Sequence, residues 1–386
     1  MKVLMINVVC GIRSTGRICT DLATALEAQG HEVRIAYGRE NVPEQFQKYA
    51  VRIGTDLDVK LHGVKARLID GCGFGSKRAT EKFIEWVKDY DPDVVHLHNI
   101  HGYYINVEVL FSYLKTYHKR IIWTLHDCWA FTGHCVYFEY ANCNHWMNGC
   151  HNCPQKKEYP KTIIDRSKAN WGLKKKVFEG IDNLKIVTPS QWLANLVHKS
   201  FLSEYDTRVI NNGVDISLFH KTEVSKVREL IPRKKIILGV ASVWDRRKGL
   251  TYMNKLAMML GNDYQVVIIG ASENQKKELS EKIMVIPRTN NVQELAEWYS
   301  VATIFVNPTL EDNYPTTNLE AISCGTPVVT FDTGGSPESA RIFGKVVEKG
   351  NIETLLNAIK NESFVHTDTI PIKERMVEEY LKIYIS

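Results

Sequence analysis

The stretch "TIFVNPTLEDNYPTTNLEAISCGTPVVTF" (303–331) reads as strand, loop, helix and strand in one pass. "TIFVNP" and "PVVTF" are short runs rich in β-branched and aromatic residues, the pattern of buried strands. Between them, Pro315 suits the first turn of a helix, because its missing N–H would have no intrahelical partner there. Asp312 or Asn313 is placed to cap that helix, and Gly325 followed by Pro327 closes it. A strand that leads through a helix to a further strand is the unit of a parallel, doubly wound sheet.

The same order recurs outward from this stretch. "KVLMINVV", "HEVRIAYG", "DVVHLHNI", "RIIWTLHD" and "LKIVTPS" alternate with helix candidates at 15–29, 81–90, 107–117 and 191–201. The alternation restarts near residue 230 with "KKIILGVAS", "YQVVIIGA" and "IMVIP". Two such series, separated by the turn-rich "VINNGVDISLF", predict an α/β protein of two Rossmann-like domains facing a cleft, at 1–205 and 206–370. The amphipathic segment 371–386 is expected to pack back across them as a helix.

In open parallel sheets ligands bind at the carboxyl ends of the strands, so the chemistry is sought in those loops. After "TIFVNP", the backbone N–H groups of Thr316, Thr317 and Asn318 are expected at a helix N-terminus, an anion-binding arrangement. Asp312 just before it can accept from sugar hydroxyls, and Glu320 further along can take the paired hydroxyls of a ribose. The competing reading makes Asp312 a plain N-cap and Glu320 a solvated helix residue. After "KKIILGVAS", the triplet Arg246, Arg247 and Lys248 offers positive charge to a diphosphate leaving group, and such electrostatic stabilisation is usually the largest catalytic effect. In the first series, "NVVCGIRSTGRICTDL" is a strand, a turn with Gly11 and Gly16, and a helix, a loose match to a dinucleotide fingerprint. His126 and Asp127 end another strand, as do His96, His98 and His101.

Bulk properties narrow the class. At 386 residues, 44% hydrophobic and 24% charged, the chain is an ordinary globular protein of two domains. No apolar run approaches the ~18 residues that cross a bilayer, and the first apolar run reads as a strand rather than a signal peptide. A cytoplasmic location is therefore expected, with cysteines reduced or metal-bound. The net charge of +5 is uneven: residues 1–205 hold 27 Lys/Arg against 21 Asp/Glu, and the rest 22 against 23. Eight basic residues fall in 156–176, which suggests contact with anionic lipid at the inner membrane face. That excess is too small and too poor in interleaved aromatics for a nucleic-acid channel.

Taken together, "VINNGVDISLF", "VWDRRKGL", "LEDNYPTTNLEAISCGTPVV" and "GGSPE" resemble glycosyltransferase family 4, and "CGIRSTGRI" and "TLHDCWAFTGHC" resemble its bacterial capsule, exopolysaccharide and colanic-acid transferases. The resemblance implies the GT-B fold, a nucleotide-diphosphate sugar donor (UDP- or GDP-linked) and retention of anomeric configuration. It implies a saccharide acceptor, lipid-linked, and no metal in catalysis. It puts the family's two acids at Asp312 and Glu320, its basic pair at Arg247 and Lys248, its histidine facing donor sugar and acceptor at His126, and the base-framing strand end at Arg288. The sequence departs from the family in having Asp for the usual first Glu, Pro315 for a common glycine, and Ser242 for an arginine about six residues before the lysine.

Within an insertion at about 128–160, Cys135, Cys143, Cys150 and Cys153 cluster, the last two as C-x-x-C. In a reducing compartment this spacing favours a structural Zn²⁺ over disulfides or unligated thiols, with His134, His145 or His151 able to replace one cysteine. Two rivals to a transferase stand at this stage. One is an epimerase or phosphorylase on the same scaffold; the other is a non-catalytic, zinc-stabilised binding protein.

Overall fold

The computed structural model describes residues 1–222, 226–232 and 234–385. Residues 223–225 and 233, inside the expected domain 206–370, and Ser386, the last of the expected C-terminal helix, lie outside them. The chain divides into two compact units, Met1–Ile210 with Val377–Ser386, and Asn211–Met376. The first runs to Ile210 rather than 205 because a short strand, Thr207–Val209, still pairs with Leu184–Thr188.

The first unit holds seven strands: β1 Lys2–Ile6, β2 Glu32–Tyr37, β3 Ala50–Arg52, β4 Val94–Leu97, β5 Arg120–Thr124, β6 Leu184–Thr188 and β7 Thr207–Val209. They lie in the order β3-β2-β1-β4-β5-β6-β7, and every pair is parallel. In β1 and β4 consecutive side chains are buried, as expected where helices cover both faces of a parallel sheet. Its core is aromatic on one side: Phe111, Trp123, Trp129 and Phe178 pack ring against ring with centroids 4.5–6.3 Å apart. The helix Lys373–Ile385 closes the chain, and its Tyr380 and Tyr384 are buried in this unit.

The second unit repeats the plan with β8 Lys235–Val240, β9 Tyr264–Ile269, β10 Ile283–Ile286, β11 Ile304–Asn307, β12 Val328–Phe331 and β13 Gly344–Val347. The order is β10-β9-β8-β11-β12-β13, again parallel throughout. Separate apolar clusters line its two faces, one around Phe305 and Trp298, the other around Ile304 and Phe331. In each sheet the winding direction reverses between a central pair, β1 and β4 or β8 and β11. Loops leaving such a pair diverge and leave a crevice at the strands' carboxyl ends. Among the described residues, no helix is long and apolar enough to cross a membrane.

Candidate functional site

In the second unit the loops after β8 and β11 meet at that crevice. Asp245 accepts from the Lys248 amide (3.2 Å) and caps a 3₁₀ turn, Arg246–Lys248. Gly249 follows at φ +75°, and a Cβ there would lie 2.0 Å from the Pro308 carbonyl oxygen. Only glycine permits that approach of the two backbones. The loops are then tied through the Arg247 carbonyl, which accepts from the Leu310 amide (2.6 Å) and the Thr309 hydroxyl (3.2 Å). The Arg247 side chain pairs with Asp245 (3.0 Å) and donates to the Glu311 carbonyl (3.3 Å). One residue on, Lys248 Nζ donates to Asp312 Oδ2 at 2.6 Å, both side chains being mostly buried. One of the three Lys248 N–H donors is used in this pair, which leaves two for an anionic ligand.

The helix after this loop begins at Thr316, with Pro315 as its N-cap residue and no side-chain cap. The capping role expected of Asp312 or Asn313 is therefore not made: Asp312 Oδ1 accepts instead from the Asn313 amide (3.0 Å). A second expectation is also corrected. The Asn318 amide donates to the Pro315 carbonyl (3.2 Å), and its side chain is buried among Asn307, Ser336 and Ser339, so Asn318 holds the loop rather than offering a ligand donor. Thr316 and Thr317, half-buried, keep the first N–H groups of the helix. Glu320 is buried rather than solvated and accepts from the Tyr299 hydroxyl (3.0 Å). Arg246 is exposed on the 3₁₀ turn. Arg288 is exposed past the end of edge strand β10, and no hydrogen bond or ion pair among the described residues ties it to the Lys248–Asp312 pair.

In the first unit, Gly16 lies inside the first turn of the helix Arg13–Ala28, which starts two residues before the expected Thr15. Its carbonyl accepts from the Gly11 amide (3.1 Å), and a Cβ at Gly16 would meet Val9 and Gly11 at 3.1–3.2 Å. The histidines after β4 and β5 form two linked sets. His126 Nε2 lies 3.0 Å from His98 Nδ1, and His101 Nε2 lies 2.8 Å from Asp127 Oδ2. Behind them, His96 bonds Tyr384 Oη (2.6 Å) and Thr124 Oγ1 (2.7 Å), and Thr124 bonds Tyr380 (2.9 Å). Burial lowers His126 to about 4 and His96 to about 3, so both rings are neutral at pH 7. Asp127 stays below its usual range despite burial, because His101 favours its charged form. Sequence reasoning missed Tyr380 and Tyr384; the available signal was a tyrosine pair four residues apart on an amphipathic helix.

Residues 15–218 match the family described as Glycosyltransferase Family 4, and residues 234–361 match Glycosyl transferases group 1. The chain belongs to glycosyltransferase family 4. The putative colanic acid biosynthesis glycosyl transferase WcaC of Escherichia coli (strain K12) is 24% identical, covering 100% of this chain and 99% of that protein. The sucrose-phosphate synthase of Thermosynechococcus elongatus superposes with a TM-score of 0.68 at 17% identity, over 100% of this chain and 96% of that one. Anabaena HepE, solved with UDP and glucose, superposes at 0.66 with 14% identity over 100% of both chains. The two parallel-sheet Rossmann-like domains make this a GT-B fold.

The cysteine insertion of this family 4 chain and the lysine run after it bear on two further expectations. Cys135, Cys143, Cys150 and Cys153 do line one small cavity, with His134, His145 and His151, and all nine cysteines are free of disulfides. Among the described residues, no group of three or more His, Cys, Asp or Glu side chains is placed to hold a metal ion. Two of the thiols bond each other, and a third meets the backbone. Cys135 is held protonated by its hydrogen bond to Cys153, whose own thiol falls to about 7, and Cys150 Sγ accepts from the Gly133 amide at 3.2 Å. The second concerns Lys174, counted from sequence in the basic surface, and here the structure differs. It is buried, donates to the Trp129 and Thr132 carbonyls (2.7 and 2.9 Å) and sits 3.5 Å from the centre of a Trp129 ring. Desolvation lowers it to about 8.

Proposed function

We propose that this chain is a retaining glycosyltransferase that moves a hexose from a nucleotide-diphosphate sugar to a hydroxyl of a lipid-linked saccharide, in bacterial surface-polysaccharide synthesis. The observation that carries the reading is the Lys248–Asp312 pair at the β8/β11 crevice, beside the first amides of the helix Thr316–Ser323. A cation and helix N–H groups suit a diphosphate, and a neighbouring carboxylate suits the hydroxyls of the sugar attached to it. The full-length likeness to a colanic acid transferase supports the polysaccharide context, and the UDP held by a protein of the same fold supports the donor class.

In the proposed reaction the acceptor oxygen attacks the anomeric carbon from the face that the diphosphate leaves. The bond from that carbon to the phosphate oxygen breaks, and the acceptor's proton passes to the departing phosphate. Lys248, Arg247 and the amides of Thr316 and Thr317 stabilise the charge on the leaving group. Asp312 orients the donor sugar, and Glu320 takes the ribose hydroxyls. The work belongs to the cytoplasmic face of the membrane, where lipid-linked acceptors are presented.

Thermal melting with UDP, GDP, ADP and dTDP tests the donor class. One diphosphate is expected to raise the melting midpoint selectively, since a ligand at 100 times its Kd adds about 2.7 kcal/mol to the folded state. No response to any of them would favour a non-catalytic partner protein. NMR of the product linkage then reads the configuration, and inversion at the anomeric carbon would reject the retaining mechanism.

A further inference from the structure

The helix Asp56–Ile69 turns its apolar side outward. Leu57 is 63% exposed, Leu61 61%, Val64 55% and Leu68 48%. At 3.6 residues per turn these four fall within an arc of about 60° and form a stripe about 17 Å long. Lys60 and Arg67 flank the stripe on one side and Lys65 on the other. Where the helix ends, Ile163 and Ile164 extend it: their amides donate to the Arg67 and Leu68 carbonyls (2.8 and 3.2 Å), and their side chains are 61% and 53% exposed. Elsewhere among the described residues, large exposed apolar side chains occur singly or in twos. A contiguous patch of this kind marks an interaction surface.

The outward orientation is built in. On the opposite side of the helix, His62 and Ala66 are buried. The His62 ring fixes the roll of the helix: its Nε2 lies 3.2 and 3.0 Å from the amides of Gly73 and Gly75, and its Nδ1 lies 2.9 Å from Ser76 Oγ. A capping box between Thr55 and Asp58 fixes the start.

We propose that this face docks on an anionic bilayer, with Leu57, Leu61, Val64, Leu68, Ile163 and Ile164 entering the interface and the basic residues meeting lipid head groups. Charge decides for a membrane over a second copy of the chain. Lys60, Arg67, Lys161, Arg166 and Lys168 are exposed around the stripe. Of the nearby acids, Asp56 is exposed but paired with Arg52, Asp58 is engaged in the capping box and Asp165 with the amides of Cys153 and Ser167, which leaves Glu158. Two copies meeting through this face would set like charges against each other. An apolar stripe with basic flanks is the pattern of a helix lying in the plane of a membrane surface. The surface stands on its own observations and does not depend on the reading of the donor site.

Flotation of the full chain with phosphatidylglycerol-containing vesicles, against pure phosphatidylcholine vesicles, is the test. The wild-type protein is expected to float with the anionic vesicles, and L61S/V64S to lower the bound fraction at least tenfold while the melting midpoint is unchanged. K60A/R67A is expected to abolish the preference for anionic lipid. Should the apolar variant melt early, hydrogen exchange on the wild-type protein serves instead, with added vesicles slowing exchange at 161–166. The proposal is overturned by a wild-type protein that ignores anionic vesicles or by variants that bind as wild type does. It is equally overturned by a dimer that L61S/V64S separates, since the face then belongs to a second copy.

Discussion

Lys248→Ala is expected to lower kcat/KM at least tenfold and up to about a thousandfold, a loss of roughly 1.4–4 kcal/mol of transition-state stabilisation. Two effects combine. The proposed diphosphate loses the ammonium nearest to it, and Asp312 loses the partner that lies 2.6 Å from its carboxylate. Asp312→Ala is expected to cost at least tenfold as well, but with a different signature. It leaves Lys248 in place, so nucleoside diphosphate binding should survive while turnover of the nucleotide sugar falls. Because the two groups touch, the double variant should lose less than the product of the single losses. Lys248→Arg is not expected to rescue, since a planar guanidinium cannot reproduce a compact ammonium on the same oxygen. Rates near wild type in both alanine variants, with unchanged melting midpoints, would remove the pair from the mechanism.

The second large effect is on stability against pH. His62, His96 and His98 are buried in the first unit, and desolvation lowers His62 to about 4, His96 to about 3 and His98 well below the ordinary 6.5. Unfolded, each ring takes up its proton near 6.5; folded, His62 and His96 do so only near 4 and 3, and His98 only well below its ordinary value. Between those values the unfolded chain binds protons that the folded unit does not, so stability falls as pH drops below 6.5 and keeps falling to the folded values. At pH 5 the loss is about 2 kcal/mol for each of His62 and His96, and His98 adds to it in the same direction. Melting curves at pH 7 and pH 5 are expected to show the first unit's transition moving sharply down. A midpoint that stays level across that window would mean that these rings carry protons in the folded protein.

The fold was largely legible because each sheet is covered on both faces. Runs such as "KKIILGV" and "RIIWT" then have to be apolar throughout, and few other structures leave that trace. The missed strands, Ala50–Arg52, Thr207–Val209 and Gly344–Val347, are edge strands of three or four residues, too short to leave a pattern of their own. Strand ends were less legible: "DVVHLHNI" reads as one strand-length run, but β4 stops at Leu97, and a histidine on either side of that leucine does not mark where the loop that carries His98 begins. The meeting of Lys248 with Asp312 followed from the rule that ligands bind at strand carboxyl ends. The duties of Asn318 and Lys174 did not, because both depend on which buried groups face them across the chain. A lysine in a run of lysines gives no sign that two carbonyls and an indole await it. The helix Asp56–Ile69 went unremarked for a related reason: its apolar stripe has ordinary helical spacing, and spacing does not say which way the stripe faces.

The closing helix has a consequence for how the molecule is made. Tyr380 and Tyr384 reach His96 and Thr124, and the Arg120 guanidinium donates to the Tyr384 carbonyl, all within a sheet whose last strand ends at Val209. A ribosome delivers that sheet long before it delivers the tyrosines, and the entire second unit is synthesised in between. During that interval His96 and Thr124 are without their tyrosine partners. The nascent first unit must wait, nearly finished, until translation passes residue 384.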